Sequence, residues 1–459
     1  RPEEGLAAGG KGNQRSKNKR RRRIGKMWIC DNLSISKEGR LTFAGRDAVA
    51  LAKKYGTPLM LLDEGRIRRR CREYKKAMEE SFGGGAMPLY ASKALCFKEI
   101  YRIMRDENMG IDVVSPGELY TAKEAGFPLE NAYFHGNCKT DEDIRLGVSE
   151  KIGCFICDNV EEITALNEEA GRQGRKQKVL LRLTPGIDPH THAAISTGKV
   201  DSKFGVAIET GQAKDFVKLA LSLPNIRLAG FHCHIGSQIF EYKPFVDAAE
   251  IMFKFIAEMK TEFGYETEEL NLGGGMGVRY VESQPTIDYS ANIAGIGKTL
   301  SEMSRRLGVK MPKILMEPGR SIVADSGMTL YGVGGVKRIP GFKNYVSIDG
   351  GMTDNPRYAL YQSEYTVLLA NRPTEKADGE YTVAGRCCES GVRIQENVPL
   401  PSPKRGDILA VLTTGAYNYS MASHYNRIPK PPIVLLSEDG GEKLAVRRET
   451  FEDMARNEL

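Results

Sequence analysis

The chain has 459 residues, of which 41% are hydrophobic and 27% charged, so it is long enough for two domains of ordinary globular composition. No run approaches the 18 or more apolar residues of a membrane span, which excludes an integral membrane protein as a prediction. The net charge of +7 comes from residues 1–26, which contain ten Lys and Arg but only two Glu. Residues 27–459 carry a net charge of about −1, which does not support nucleic-acid binding by the folded part of the chain.

Residues 1–26 end in the run Arg20 to Arg23 and have no apolar periodicity, so we predict a disordered basic tail. The tail could be a targeting signal or a nucleic-acid arm, but a solvated leader is the simpler interpretation. We expect a unit at 27–55 with short strands up to residue 43 and a helix at 48–55, stopped by Gly56-Thr57-Pro58. This unit is predicted to join partly with a later β domain.

From residue 56 to 322, short apolar runs alternate with helical patterns. Eight such repeats favour a (β/α)8 TIM-like barrel over a doubly wound open sheet. Helical stretches are predicted at 96–105, 117–125, 141–148 and 245–263, and Thr140 with Asp143 forms a capping-box pattern. The predicted strands are 88–90, 111–114, 132–134, 154–156, 179–183, 228–232, 270–272 and 313–316.

After residue 322 the pattern changes to strand-like segments separated by Gly, Pro and Asp. We therefore predict a C-terminal, mostly β domain at 323–459, giving an α/β protein with a barrel and a second domain. The predicted strands of that domain are 329–333, 345–348, 381–383, 408–412 and 433–436.

Nine cysteines are scattered without a repeating framework, which favours a reducing compartment and a cytoplasmic location. Cys154 and Cys157 have the CxxC spacing of zinc and redox sites. They stand in an apolar run without a second pair, so we interpret them as part of a structural strand.

Polar residues stand at the carboxyl ends of the predicted barrel strands, where barrel enzymes carry their chemistry. A lysine there can contact a phosphate, pair with an acid, or form an imine with a carbonyl cofactor. The strand-end residues are Lys93, Asp112, Ser115, His135, Asp158, Arg182, His232, His234, Ser237, Gly273, Gly274, Gly275, Glu317, Gly319 and Arg320.

Several of these residues suit a phosphorylated aromatic ring. Glycines after a strand let backbone N–H groups surround an anion, and Ser237 and Arg320 would complete a phosphate cup. His234 has a flat face for ring stacking, while Glu317 could hold a pyridine nitrogen protonated or form a structural ion pair. His232 and His234 also have the spacing of a metal pair, but further ligands are lacking, and no metal is predicted.

Four ordered motifs resemble the group IV pyridoxal-phosphate decarboxylases of the alanine racemase-like fold. The resemblance covers about residues 27 to 440 and is greatest to the branch that acts on diaminopimelate. It implies pyridoxal 5′-phosphate as cofactor, carried by Lys93, stacked on by His234 and paired with Glu317. Ser237, the glycine loop, Gly319 and Arg320 would meet the phosphate or substrate. The motifs are Tyr90-Ala91-Ser92-Lys93-Ala94, His234-Ile235-Gly236-Ser237, Gly273-Gly274-Gly275 and Glu317-Pro318-Gly319-Arg320.

Three later motifs extend the resemblance. Residues 351–361 are similar to the segment whose arginine and tyrosine, here Arg357 and Tyr361, hold the distal carboxylate. Residues 387–391 are similar to the loop with the proton donor Cys388 and with Glu389 for the distal amino group. In the family the partner subunit of a homodimer supplies that loop. Tyr417 would reach the cofactor phosphate or the substrate. Simpler alternatives are a packing role for Cys387 or Cys388 and a surface charge for Arg357.

The charges favour a substrate with an amino-acid group at both ends. Arg320 and Arg357 can hold a carboxylate through forked hydrogen bonds, and Glu389 can hold an ammonium. The expected reaction is decarboxylation of meso-2,6-diaminopimelate to L-lysine. Two alternatives are a decarboxylase for a related diamino acid and a non-catalytic relative.

One departure from the family's pattern is Val392, which stands where the loop usually carries aspartate. An isopropyl group cannot accept hydrogen bonds, so we expect weakened activity that Val392→Asp would raise. His424 replaces a more usual asparagine, and a smaller effect is expected there.

Overall fold

The computed structural model describes residues 29–188 and 199–459. The predicted tail at 1–26 and the first two residues of the predicted N-terminal unit lie outside the described residues.

Eight parallel strands form a closed barrel, which confirms the predicted fold. The strands are β1 (Met87–Ala91), β2 (Gly110–Val113), β3 (Ala132–Phe134), β4 (Cys154–Cys157), β5 (Gln177–Thr184), β6 (Ile226–His232), β7 (Glu269–Asn271) and β8 (Lys313–Met316). Strands adjacent in this order pair with each other, and the ring closes where Leu315 of β8 lies opposite Met87 of β1. All eight carboxyl ends therefore meet at one face of the barrel.

Helices cover the outside of the barrel. Because only the short helix Arg320–Val323 follows β8, the remaining outer position is filled by Glu64–Phe82, which precedes β1. It packs on the helix after β7 through Tyr74 and Tyr289, whose ring centroids are 5.5 Å apart. Among the described helices, none combines the length and apolarity needed to cross a membrane. The helices after β1 to β7 are Lys98–Asp106, Pro116–Glu124, Asp141–Ser149, Val160–Arg172, Gln212–Ser222, Lys243–Phe263 and Tyr289–Leu307.

Two local predictions are confirmed in the barrel. Thr140 Oγ1 accepts from the Asp143 N–H at 3.2 Å, and Asp143 Oδ2 accepts from the Thr140 N–H at 3.0 Å, which completes the capping box. Cys154 and Cys157 both lie in β4 as buried free thiols, so the CxxC pair is part of a strand.

The second domain is built on a sheet that has nine strands within the described part of the chain. Its central strand, Gly327–Ile339, pairs with three neighbours, Leu59–Asp63, Lys343–Ile348 and Ile408–Leu412. The other strands are Val367–Leu369, Gly379–Ala384, Arg393–Leu400, Ile433–Leu436 and Glu442–Val446.

The strand Leu59–Asp63 corrects the predicted lower boundary of the barrel. The predicted barrel range of 56–322 includes this strand, yet it pairs antiparallel with Gly327–Ile339 and parallel with Ile433–Leu436. All five residues are buried, so the run has the same apolar pattern as a barrel strand. Only its long-range pairing shows that it belongs to the β domain.

The N-terminal strands form a separate antiparallel sheet of Leu33–Ile35, Leu41–Phe43 and Arg46–Asp47. The helix Ala48–Tyr55 follows at the predicted bounds, with the Asp47 carboxylate capping its first turn. Apolar residues of this segment share a core with Leu330, Leu412 and Leu436 of the β domain. The N-terminal segment therefore packs on the β domain without joining its sheet.

Candidate active site

Lys93 stands directly after β1, in the single turn Ser92–Ala94, and its side chain is exposed to a cavity at the carboxyl ends of the strands. Burial lowers the pKa of the Lys93 ammonium, but nearby Tyr417 and Asp112 outweigh burial and hold that pKa above its ordinary value. Burial also raises the pKa of Asp112, on β2, to about 6. Asp112 lines the same cavity as Lys93.

Glu317, the first residue after β8, is buried among side chains from three other strands. Asn271 Nδ2 donates to Glu317 Oε1 at 2.8 Å, and His232 Nε2 lies 3.1 Å from Oε2. His135 Nε2 lies 2.7 Å from Oε1. We call Asn271, His135 and His232 the Glu317 clamp, because together they orient the carboxylate at the cavity wall.

The clamp keeps Glu317 ionised. Burial by itself raises the pKa of Glu317, but His135 and His232 outweigh burial, so the pKa lies well below its usual range. Burial lowers the pKa of His232 to about 4, so its ring is neutral at physiological pH. A carboxylate only accepts hydrogen bonds, so His232 carries its proton on Nε2.

The structure separates the two histidines that had the spacing of a metal pair. His232 ends β6 and contacts Glu317, whereas the Nδ1 of His234 accepts from the Gly274 N–H at 3.2 Å. Among the described residues, the group with metal-ligand chemistry is His135, His232 and Glu317, whose ligand atoms lie within 4.8 Å of one another. His234 instead lines the cavity, beside Lys93 and Glu317, and burial holds its pKa well below the usual value.

The glycine loop after β7 passes very close to neighbouring backbone. A Cβ at Gly274 would stand 2.0 Å from the Glu317 carbonyl oxygen, and one at Gly275 would stand 2.3 Å from that of Gly236. Gly275 also has φ +115°, which L side chains rarely adopt. Only glycine therefore allows the loop to lie against Glu317 and the segment that carries Ser237. Arg320 Nη2 donates to Ser237 Oγ at 3.0 Å, so the predicted cup residues meet.

The β domain closes this cavity from above. The Tyr417 N–H donates to the Ala94 carbonyl oxygen at 2.8 Å, directly beside Lys93. Tyr417 has φ +59°, and its ring lies 4.7 Å from the Arg320 guanidinium carbon. The empty space of the cavity, together with the solvent at its mouth, is about 540 Å³. It is lined by Tyr74, Ala91, Lys93, Asp112, His234, Ser237, Gly273, Gly274, Gly275, Met276, Met316, Glu317, Pro318, Gly319, Arg320, Ser321 and Tyr417.

The predicted substrate residues fall into two groups. Arg357 is buried, which excludes the surface-charge alternative, and it lies next to Arg320 through a shared contact with Tyr280. Tyr361 is half-buried at the end of the helix Arg357–Tyr361. Neither Arg357 nor Tyr361 is among the residues that line the Lys93 cavity.

Cys388 and Glu389 lie on an exposed loop of the β domain, outside the set that lines the cavity with Lys93. The Cys388 N–H donates to Asn426 Oδ1 at 2.8 Å, and Glu389 Oε1 accepts from the Gly391 N–H at 3.3 Å. Cys387 is the buried packing residue of the pair. The Cys388 side chain is therefore exposed to solvent and does not pack in the core of this chain.

Val392 lies under this loop, in an apolar cluster with Cys387, Ile428 and Met352. A Cβ at Gly385 would stand 2.6 Å from Val392 Cγ1, so the side chain fills the space against that glycine. This burial revises the expectation that aspartate would raise activity, because a carboxylate at this position would be buried in an apolar cluster. His424 lies on the surface, where its Nε2 is 2.7 Å from Glu449 Oε2.

We expect Val392→Asp to lower the unfolding temperature by about 2 °C, since a buried carboxylate costs about 2 kcal/mol and a chain of 459 residues unfolds with an entropy of about 1 kcal/mol/K. The measurement is thermal unfolding together with kcat, with Val392→Asn as the uncharged control of the same shape. A gain in kcat for Val392→Asp alone would contradict this expectation and indicate a cation supplied from outside the chain.

Sequence reasoning missed several residues of the site. His135, His232 and Asp112 were noted at strand ends, but their contacts around Glu317 and Lys93 were not predicted. Asn271, the last residue of β7, could have been found by the same strand-end criterion. Tyr280 and Tyr365 had no such signal, because both lie in irregular segments.

Comparison with known proteins places the chain among pyridoxal enzymes. Residues 64–324 match the family described as pyridoxal-dependent decarboxylase, pyridoxal binding domain. Diaminopimelate decarboxylase of Bacillus subtilis (strain 168) is 45% identical over 433 residues, covering 94% of this chain and 98% of the relative. The enzyme of the same name from Staphylococcus aureus (strain COL) is 42% identical over 427 residues, covering 93% and 99%.

A solved structure agrees with these relatives. The crystal structure of diaminopimelate decarboxylase from M. jannaschii in complex with L-lysine superposes with a TM-score of 0.87 at 35% identity. It covers 94% of this chain and 98% of that chain, so the similarity includes both the barrel and the β domain.

Proposed function

This chain belongs to the diaminopimelate decarboxylases, a family of pyridoxal-dependent decarboxylases, and on that premise we propose how its residues perform the family's reaction. The reaction removes one carboxylate of meso-2,6-diaminopimelate as carbon dioxide and leaves L-lysine, the last step of lysine biosynthesis. The observation that carries the proposal is one cavity in which an amine, an ionised buried carboxylate and an anion cup converge.

The donor set of this cavity fits pyridoxal 5′-phosphate, which has a pyridine nitrogen, an aldehyde and a phosphate. Lys93 would hold the aldehyde carbon, Glu317 the ring nitrogen, and Ser237 with the glycine loop the phosphate. The cofactor, when bound, supplies an electron sink for the bonding pair released as carbon dioxide leaves. His234 would lie against the ring face.

The chain's own groups hold and move charge around that reaction. Glu317 would hold a proton on the ring nitrogen of the bound cofactor, because the clamp keeps the Glu317 carboxylate negatively charged. Arg320 and Arg357 bind the carboxylate that is retained, with Tyr361 and Tyr417 as further substrate-binding residues, and Glu389 binds the distal ammonium. Cys388 gives its proton to the carbon that has lost carbon dioxide, so a C–H bond replaces the broken C–C bond.

The positions of Cys388 and Glu389 support the proposal of a homodimer with shared sites. Both are exposed on this chain and absent from the lining of the Lys93 cavity. A proton donor must come within hydrogen-bond reach of the reacting carbon. We therefore assign the loop to the cavity of a second copy of the chain.

Hybrid dimers test this assignment. Lys93→Ala and Cys388→Ala should each be inactive alone, but equal mixing of their subunits should restore about a quarter of wild-type activity, because half the dimers are hybrids with one intact site. The measurement is lysine formation after co-expression of differently tagged chains. If the mixture stays as inactive as the single variants, each site uses its own Cys388.

The function itself is tested by mixing the purified protein with pyridoxal 5′-phosphate and meso-diaminopimelate and assaying lysine and carbon dioxide. Equal amounts of the two products are expected, and none from ornithine, which would leave the arginine pair without a carboxylate. Absence of lysine together with absence of bound-cofactor absorbance would refute the proposal.

The nine free cysteines support the further proposal of a reducing, cytoplasmic location.

A further inference from the structure

Two buried guanidinium groups, Arg320 and Arg357, lie at the boundary between the barrel and the β domain. Their residues are 7% and 5% exposed. In the ranges 29–188 and 199–459 neither forms an ion pair with a carboxylate; their partners are Ser237 and tyrosines. Because a buried cation without an anion is costly, such a pair indicates a site kept for an anionic ligand.

Tyr280 contacts both arginines. Its hydroxyl accepts from Arg320 Nη1 at 2.7 Å, while the Arg357 guanidinium carbon lies 4.8 Å from the centre of its ring. The side chain is only 2% exposed. Its carbonyl oxygen accepts from Thr366 Oγ1 at 2.8 Å, which attaches the Tyr280 segment to the β domain.

Tyr365 contacts only one of the two arginines. Its hydroxyl accepts from Arg357 Nη1 at 2.9 Å, and Asn418 Nδ2 donates to the same hydroxyl at 3.2 Å. Its ring meets Tyr280 edge-on, with centroids 5.5 Å apart and an interplanar angle of 84°. Tyr365 therefore supports Arg357 and Tyr280 from the side, whereas Tyr280 contacts both guanidinium groups.

Aromatic rings and phenol oxygens stabilise a guanidinium without cancelling its charge, whereas a carboxylate would neutralise it. The contacts also divide the donors of Arg320: Nε and Nη2 face Ser237 of the cup at 3.3 and 3.0 Å, and Nη1 faces Tyr280. The arrangement thus preserves two positive charges at a set separation.

We propose that Tyr280 is a positioning residue that sets the spacing of Arg320 and Arg357 for the retained carboxylate, and so makes the site select an amino acid over the corresponding diamine. This inference rests on the proposed function of the site and adds to it the residue that determines this selectivity.

The test compares L-lysine with cadaverine, the same diamine without the carboxylate, as ligands of the holoenzyme in calorimetric titrations. Tyr280→Phe, which removes the contact with Arg320, should weaken lysine binding about tenfold, as expected for a lost hydrogen bond to a charged group. Tyr280→Leu, which also removes the ring face, should weaken it about tenfold more. Cadaverine binding should not change in either variant.

Tyr101→Phe is the matched control, because Tyr101 is buried and its hydroxyl contacts Cys96 and neither arginine. It should leave both affinities unchanged. In turnover, Tyr280→Phe should raise KM for meso-diaminopimelate and leave kcat close to wild type, the pattern for lost ground-state binding.

Three results with Tyr280→Phe would overturn the inference: unchanged lysine affinity, an equal loss for lysine and cadaverine, or a loss confined to cofactor affinity. A wild-type protein that binds lysine no better than cadaverine would also overturn it. A wild-type protein that binds lysine selectively but makes none from meso-diaminopimelate would instead refute the proposed function, so the two failures are distinguishable.

Discussion

Replacing Lys93 by alanine should lower kcat by about 10⁴-fold, because the side chain serves both covalent attachment and proton transfer. The protein should also lose the visible absorbance of lysine-bound cofactor after gel filtration. Lys93 is exposed to the cavity, so its truncation removes no core packing and folding should be retained. The measurements are lysine release, the absorbance spectrum and the unfolding temperature.

Lys93→Arg is the matched control for charge. It keeps a cation between Tyr417 and Asp112, the groups that raise the pKa of Lys93, but it cannot bind the aldehyde. It should be as inactive as Lys93→Ala while retaining the wild-type unfolding temperature. Borohydride reduction followed by peptide mass analysis locates the attachment site, and a label on any other lysine would remove Lys93 from its assigned role.

Glu317→Gln should lower kcat by about 10²–10³-fold, the range seen when one preorganised electrostatic group of an active site is removed. The neutral amide cannot balance a protonated ring nitrogen, so that nitrogen should lose its proton. Nitrogen-15 NMR of ring-labelled cofactor in the holoenzyme measures this protonation directly. Glu317→Asp keeps the negative charge but moves the carboxylate away from the residues of the clamp. The ring nitrogen should therefore stay protonated, and kcat should lie between those of the wild type and Glu317→Gln.

The clamp offers a second test of the same idea. Asn271→Ser shortens the donor that now lies 2.8 Å from Glu317 Oε1, and it should lower kcat less than Glu317→Gln does. A ring nitrogen that stays protonated in Glu317→Gln, with kcat near wild type, would show that the carboxylate does not control the ring.

The local parts of this protein could be predicted from the sequence. An apolar run that stops at Lys93 or Glu317 marks both a buried strand and the residue at its carboxyl end, since both features are set by neighbouring residues. The helix Ala48–Tyr55 and the capping box of Thr140 were predicted for the same reason. To predict the parallel barrel, it was then enough to assume that consecutive apolar runs form neighbouring strands.

The barrel, the polar residues at the strand ends and the family's motifs could therefore be predicted from the sequence. The contacts that orient those residues could not, because they join segments that are far apart in the chain. Leu59–Asp63 pairs with a strand more than 250 residues away. The Glu317 clamp comes from three strands, and Tyr280 reaches Arg357 across two domains. The expected effect of Val392→Asp also changed once the structure was known. Val392 is buried against Gly385 and Ile428, and this burial depends on folding and not on the local sequence pattern.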